Sequence, residues 1–287
     1  NYADQFRVEP EKFSLGKVDP AYPGDIKSSE AAAHREDFLE ELRDLQVKLY
    51  ADGRTALLMV LQAMDAAGKD GTIKHVMSGV NPAGCEVSNF KTPSAEELKH
   101  DFLWRVHYRV PEKGRIGIFN RSHYEEVLVV RVHPQFLAGQ GIDPKSADDP
   151  KFWQKRYDDI NAFERHLRNT GTRIVKIFLH ISKDEQKKRF LERIDDAHKN
   201  WKFSKNDISE RAYWDQYQSA YEKMLVATSQ PHAPWYVIPA DRKWFSRLAV
   251  ASILVEELKA IGPKFPKVNS ELRQQLAEVK TMLESEK

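Results

Sequence analysis

Hydrophobic residues fall into regular patterns only after a broken lead. Residues 1–28 are interrupted by Pro10, Gly16, Pro20, Pro23 and Gly24, and no periodicity survives them. From Ser29 onward, Phe38, Leu42, Leu45 and Leu49 recur on one helical stripe between charged residues. That spacing predicts an amphipathic helix, capped by Ser28 or Ser29 and ended by Gly53. Next comes Ala56-Leu57-Leu58-Met59-Val60-Leu61-Gln62, short, unbroken and non-alternating. Such a run predicts a strand covered on both faces, as in a parallel sheet. Ile116–Phe119, Arg173–Ile181 and Trp235–Ile238 read the same way, and Cys85–Phe90 more weakly.

Between these runs lie helix-like segments, roughly 69–80, 95–109, 122–131, 150–169, 183–197, 207–229 and 242–260. Alternating strand and helix predicts an α/β fold, a five-stranded parallel sheet with helices on both faces. Residues 133–150, with Gly139, Gly141, Pro144 and Pro150, suggest a surface insertion. The tail from Asn269 places Leu272, Leu276, Val279 and Leu283 on one stripe. This tail predicts a helix packed on the body or on another subunit, and in the second case a homo-oligomer is expected. No linker splits the chain, so residues 29–262 read as one domain with an N-terminal lead and a tail from 263.

Composition narrows the partners. Across 287 residues, 45 Lys and Arg stand against 43 Asp and Glu, a net charge of +2. A protein that coats nucleic acid is far more basic, so any anion-binding surface must be local. One cysteine, Cys85, excludes an intrachain disulfide framework and a Cys-based zinc cage, and suits a reducing compartment. No stretch approaches the roughly 20 apolar residues that span a bilayer, and Glu9, Glu11 and Asp19 do not fit a signal peptide. The expected setting is cytoplasmic, with neither membrane nor nucleic acid as partner.

Candidate chemistry begins where the first buried strand ends. Gln62-Ala63-Met64-Asp65-Ala66-Ala67-Gly68-Lys69-Asp70-Gly71-Thr72 has the layout of a phosphate-binding loop: strand, small residues, Gly-Lys, helix. Small residues let backbone N–H groups approach an anion, and a lysine bridges phosphates. Ala63 stands where the usual pattern has its first glycine, and Asp70 where it has a metal-binding hydroxyl. The plainer alternative is a tight turn with a surface lysine. The strand Ile116–Phe119 runs into Asn120-Arg121-Ser122-His123-Tyr124-Glu125-Glu126. Strand carboxyl ends face the ligand crevice in open parallel sheets, so an arginine there can fork onto phosphate and a carboxylate can hold a metal. A third stretch, from Lys187 to Lys202, is cationic, with Arg189 and Arg193 on one helix face. It fits a lid over a polyanion or a solvated face. His180 reads as a hydrogen-bonded core histidine, and Ser122 lacks partners for an acyl-transfer triad.

Together these segments resemble the polyphosphate kinase 2 family. The likeness rests on Met64–Thr72, Phe119–Glu125, Arg193–Ser204, Phe90-Lys91-Thr92-Pro93-Ser94 and Trp235–Asp241, and it covers about residues 30–260. It implies a P-loop kinase fold like that of thymidylate kinase, with a helical lid at about 183–210. It further implies Mg²⁺-dependent transfer of a terminal phosphoryl group between inorganic polyphosphate and adenine, or other purine, nucleotides. By resemblance Asp65, Lys69 and Arg121 are catalytic, and the loop from Ala66 through Ala67, Gly68, Asp70 and Gly71 to Thr72 binds phosphate. Arg189, Arg193 and Lys202 would bind polyphosphate from the lid. Phe90, Thr92, Pro93, Asn120 and Arg121 would form the nucleotide site, with Phe90 a base-stacking ring. Asp65 with Glu126, or with Asp70, would hold the metal. Asn120, where many members carry Asp, resembles the subgroup that phosphorylates both AMP and ADP. Two alternatives stand beside this reading: an ATP-dependent nucleoside monophosphate kinase on the same fold, and a non-catalytic polyanion-binding protein. The near-neutral charge argues against the second.

Overall fold

The structure is a computed structural model that describes residues 2–24, 26–202 and 204–286, the Lys202 side chain excepted. Its elements in chain order are α1 (Tyr2–Phe6), α2 (Ser28–Asp52), β1 (Ala56–Ala63), α3 (Lys69–Val76), β2 (Cys85–Asn89), α4 (Trp104–His107) and β3 (Ile116–Asn120). They continue with α5 (Val129–Val132), α6 (Pro150–Asn169), β4 (Thr172–His180), α7 (Lys183–Asp195), α8 (Lys205–Glu210), α9 (Trp214–Thr228), β5 (Trp235–Pro239), α10 (Lys243–Ile261) and α11 (Ser270–Ser285).

All five strands are parallel, in the order β2-β3-β1-β4-β5. Every residue of β1 is buried, which is why its sequence shows no alternation. Leu57 pairs with Ile116 on one side and Arg173 on the other, so β1 is the central strand. The helices α2, α3 and α10 pack together on one face, α6 and α9 on the other. The chain leaves β1 towards β2 and β3 and later returns to β4 on the opposite side. The carboxyl end of β1 is therefore a topological switch point, where such sheets bind ligands.

Local departures from the sequence reading have identifiable causes. Helix α2 begins at Ser28 with Lys27 as its cap residue, and no side chain caps it, whereas Gly53 ends it in the left-handed conformation (φ 63°) as expected. Residues 95–109 and 122–131 form only short helical turns, at 97–99, 104–107, 123–127 and 129–132. The 133–150 stretch is two 3₁₀ turns that seal Leu137 completely. Hydrophobic burial also orders the lead. Val8 is buried and its N–H reaches the Trp235 carbonyl at 2.9 Å, while Tyr2, Phe6 and Tyr22 pack edge-on around Phe245. Helix α11 forms with its whole surface exposed, so it does not pack on the body. Among the described residues no helix is long and apolar enough to cross a membrane.

Candidate active site

At the end of β1 the chain turns through Met64–Gly68 into α3. The turn needs left-handed backbone at Ala66 (φ 61°) and Gly68 (φ 105°). Glycine adopts this readily; alanine does so at a cost that surrounding contacts must hold. Lys69 folds back across the loop, and its Nζ donates to the Ala63 carbonyl at 3.1 Å. Burial, then the nearby Arg121 charge, pulls the Lys69 pKa below the ordinary lysine value, while Asp65, Glu125 and Asp70 oppose the shift.

Strand β3 delivers the second half of the site. The Arg121 N–H extends the ladder to the Leu61 carbonyl at 3.1 Å, and a left-handed φ of 61° at Arg121 then swings the chain away. Ser122 Oγ locks this corner, accepting from Gln62 Nε2 at 3.0 Å and from the Tyr124 N–H at 3.2 Å. The Arg121 guanidinium donates to Asp65 Oδ1 at 2.9 Å and lies 3.9 Å from Glu125. Burial pushes the Glu125 carboxyl up, against the pull of Arg121 and Lys69. Helix α7 supports the loop from outside: Gln186 Nε2 donates to the Asp65 carbonyl at 2.9 Å. Asp207 and Glu210 from α8 and Tyr221 from α9 close over Asp65, Arg121 and Glu125. The cleft they line is narrow, with about 40 Å³ open to the centres of water molecules, enough for a few waters.

Beneath the Arg121 corner lies a buried ionic network. Lys176 of β4 is fully buried, and its Nζ donates to Tyr124 Oη at 2.7 Å, Glu164 Oε2 at 2.6 Å and the Thr228 carbonyl at 2.7 Å. His123 Nε2 lies 3.3 Å from Glu164 Oε1. Burial lowers the lysine pKa; the glutamate would rise on burial, but Lys176 and His123 outweigh that and hold it below its usual range.

The expected residues divide. Asp65, the loop from Ala66 to Lys69, and Arg121 meet at one place. Asp70 and Asn120 join at its edge: Asn120 Nδ2 donates to Asp70 Oδ1 at 2.9 Å and to Asn89 Oδ1 at 2.8 Å, which uses both amide hydrogens. Gly71 and the buried Thr72 continue the first turn of α3, and the Thr72 N–H closes on the Gly68 carbonyl at 2.9 Å. Thr92 is exposed and Pro93 half-buried just beyond β2, where the Phe90 N–H pairs with the Asn120 carbonyl at 3.1 Å.

Four expectations do not meet this geometry. Glu126 points away from the loop into a buried pair with Arg156 at 2.9 Å and accepts from Gln140 at 2.6 Å; its neighbour Glu125 faces the site instead. Arg189 is 4% exposed and spends its donors on four backbone carbonyls and Glu185, so it is no free lid cation. Phe90 is buried edge-on against Phe119, with the Arg105 guanidinium over its ring at 5.6 Å, so it has no open face for a base. Arg193 does lie on the lid, 3.6 Å from Asp207, but it is already paired. The Lys202 side chain lies outside the described residues. Sequence reasoning missed Glu125, Gln186, Asp207 and the tyrosines of α9. Only Glu125 left a signal, four residues after Arg121 on the same turn.

The whole chain is similar to known proteins. The sequence profile described as Polyphosphate kinase 2 matches residues 25–266. An ADP-polyphosphate phosphotransferase of Rhodopseudomonas palustris is 51% identical over 288 residues, covering 97% of each chain. An AMP/ADP-polyphosphate phosphotransferase of Meiothermus ruber is 48% identical over 268 residues, covering 91% of this chain and 95% of the other. The crystal structure of polyphosphate kinase 2 from Arthrobacter aurescens superimposes with a TM-score of 0.90 at 40% identity, covering 98% and 97% of the two chains.

Proposed function

The chain belongs to the polyphosphate kinase 2 family, and from that premise we propose that it transfers the terminal phosphoryl group of inorganic polyphosphate to AMP or ADP. The observation that carries the reading is the meeting of Lys69, Arg121 and Asp65 at the carboxyl ends of β1 and β3, where α8 closes over them. Phosphoryl transfer needs positioning and charge neutralisation rather than covalent work by the protein. Lys69 and Arg121 offset negative charge on the transferring group, and the loop carbonyls are held out of its way by Arg189. The acceptor is a phosphate oxygen already ionised near neutral pH, so no general base is required.

A divalent metal such as Mg²⁺ fits the donor set. Among the described residues no cluster of three metal-ligating side chains exists, but Mg²⁺ is bound through one or two carboxylates together with substrate phosphates and water. Asp65 and Glu125, both beside Arg121, supply such a pair; Glu126 does not. When bound, the metal would neutralise phosphate charge. A cytoplasmic setting suits Cys85, whose thiol burial pushes up to about 11 and thereby keeps unreactive. Self-association through the exposed Leu272, Leu276, Val279 and Leu283 stripe of α11 belongs to the same reading.

The test is to offer polyphosphate or ATP as donor with AMP or ADP as acceptor and to follow the nucleotide products. Nucleotide phosphorylation by polyphosphate is the expected result. Turnover with ATP and none with polyphosphate would overturn the reading in favour of an ordinary nucleotide kinase.

A further inference from the structure

Beside the loop, outside the cavity, five cations from three helices converge. Arg35 lies on α2, Lys74 and His75 on α3, and Lys243 and Arg247 on α10. Gly71, Lys74 and His75 share one face of α3, and Lys243 and Arg247 one face of α10. The two faces meet at Gly71, where a side-chain Cβ would sit 3.4 Å from Arg247 Nη2. Glycine there lets the guanidinium lie against the first turn of α3, two residues beyond Lys69. Arg35, His75 and Arg247 are half-buried, Lys74 and Lys243 exposed.

Only Lys243 of the cluster has a counterion. Lys243 reaches Glu192 at 3.9 Å. Among the described residues, Arg35, Lys74, His75 and Arg247 make no side-chain hydrogen bond or ion pair, although the chain pairs most of its other half-buried arginines. Burial and mutual repulsion act on them together. Arg247 is pulled below the ordinary arginine value by burial and then by Arg35 and Arg189, and His75 by burial and then by Arg247, Arg35 and Lys74. Like charges gathered without partners destabilise the fold unless an anion covers them.

We propose that Arg35, Lys74, His75 and Arg247 form a distal subsite for the trailing phosphates of a long polyphosphate chain, so that this ledge sets preference for donor length. The inference rests on the phosphoryl-donor reading above and extends it to residues outside the reacting centre. An extended polyanion held at Lys69 and Gly71 passes directly onto Arg247. A nucleotide or a short oligophosphate ends before the ledge. Binding through the ledge is electrostatic and sequence-free, so it weakens with salt.

The experiment compares long-chain polyphosphate with tripolyphosphate on the wild type and on the Arg35→Gln/Arg247→Gln double variant, with dissociation constants measured by calorimetry at low salt. The expected result is about tenfold weaker binding of the long chain, with tripolyphosphate unchanged within about twofold, the scale of removing two modest surface charges at once. An Arg247→Lys variant, which keeps the charge, should retain most of the long-chain affinity. Equal weakening of both donors, no weakening of either, or a wild type that binds both lengths alike would overturn the subsite. Wild-type turnover with polyphosphate reports on the parent reading separately, since these variants leave Lys69, Arg121 and Asp65 in place.

Discussion

Arg189 donates from Nη1 to the carbonyl oxygen of Ala67 at 2.9 Å, across 122 positions of the chain. The same nitrogen reaches the Ala66 carbonyl at 3.1 Å, and Nη2 reaches those of Ala240 at 2.7 Å and Asp241 at 3.0 Å. One planar guanidinium thus ties the left-handed turn at Ala66 to the end of β5, with Glu185 fixing its Nε at 2.8 Å. Carbonyls so engaged are not presented to an incoming phosphate. Arg189→Lys keeps the charge but cannot span four acceptors. It should lower kcat about tenfold or more and reduce thermal stability, because each buried acceptor left unmet costs about 1–3 kcal/mol. Nucleotide KM should move little; a variant with normal kcat would show that the loop does not depend on this brace.

Lys69→Ala should reduce kcat by at least about a hundredfold, the scale of losing one preorganised charged contact in a site that excludes water. Circular dichroism and the melting temperature should stay near wild type, since only one hydrogen bond, to the Ala63 carbonyl, is given up and a partly buried charge is removed with it. Near-normal turnover in a folded variant would remove Lys69 from the chemistry.

The adjacent glutamates should separate cleanly. Glu125→Gln is expected to lower turnover and raise the metal concentration needed for half-maximal rate, with modest loss of stability. Glu126→Gln leaves the buried Arg156 without its carboxylate and with only Gln140 to accept from it, a loss of up to about 3–5 kcal/mol, so the melting temperature should fall while kcat of the folded fraction persists. Paired melting curves and kinetics of the two variants decide; the opposite pattern would return the metal role to Glu126.

Asn120→Asp replaces two donated hydrogen bonds by a carboxylate facing the oxygens of Asp70 and Asn89. Loss of both bonds and the new repulsion should lower kcat/KM for AMP and ADP together, by about tenfold, because Asp70 sits in the first turn of the loop helix. Measuring both acceptors under saturating polyphosphate checks this. A loss confined to AMP would mean instead that Asn120 contacts the acceptor phosphate directly.

Acid should reveal the buried pair. Glu164 has its folded pKa below the ordinary value of 4.5, so the stability it contributes is fully present above that value and is lost as pH falls through the folded one. Wild-type unfolding free energy should therefore drop below about pH 4.5 with a component that Glu164→Gln lacks. At neutral pH the variant should already be less stable by about 3 kcal/mol, because Lys176 is left buried without its counterion. Parallel pH profiles of the two proteins would contradict this.

The sheet was legible because β1, β3 and β5 are short apolar runs and β4 is one broken only by Lys176, whereas the edge strand β2, Cys85–Asn89, is largely polar and left a weaker signal. Ile116–Phe119 and Trp235–Ile238 each needed one more residue, and Arg173–Ile181 shifted by one. The loop was legible because Gly68-Lys69 follows such a run directly. Residues 95–109 and 122–131 misled because apolar spacing there serves short turns rather than long helices, and periodicity does not measure length. Arg189 misled for a different reason. Its partners are backbone carbonyls far away in the chain, which no side-chain pattern announces. Phe90 and Glu126 lie in or beside the segments that carry the family resemblance, yet each side chain turns inward, and which way a residue faces beside a strand end depends on tertiary packing.

The strand order carries a kinetic consequence. Central β1 pairs with β3 and β4, and Leu57 waits for Arg173. A ribosome emitting the chain from its amino end thus exposes Ala56–Ala63, wholly buried in the finished fold, well before its second flanking strand exists. Parallel pairings this distant close slowly, and unpaired apolar edges invite aggregation meanwhile. Nascent chains truncated before residue 172 should therefore engage chaperones strongly, and full-length chains refolded from denaturant should give yields that fall as protein concentration rises.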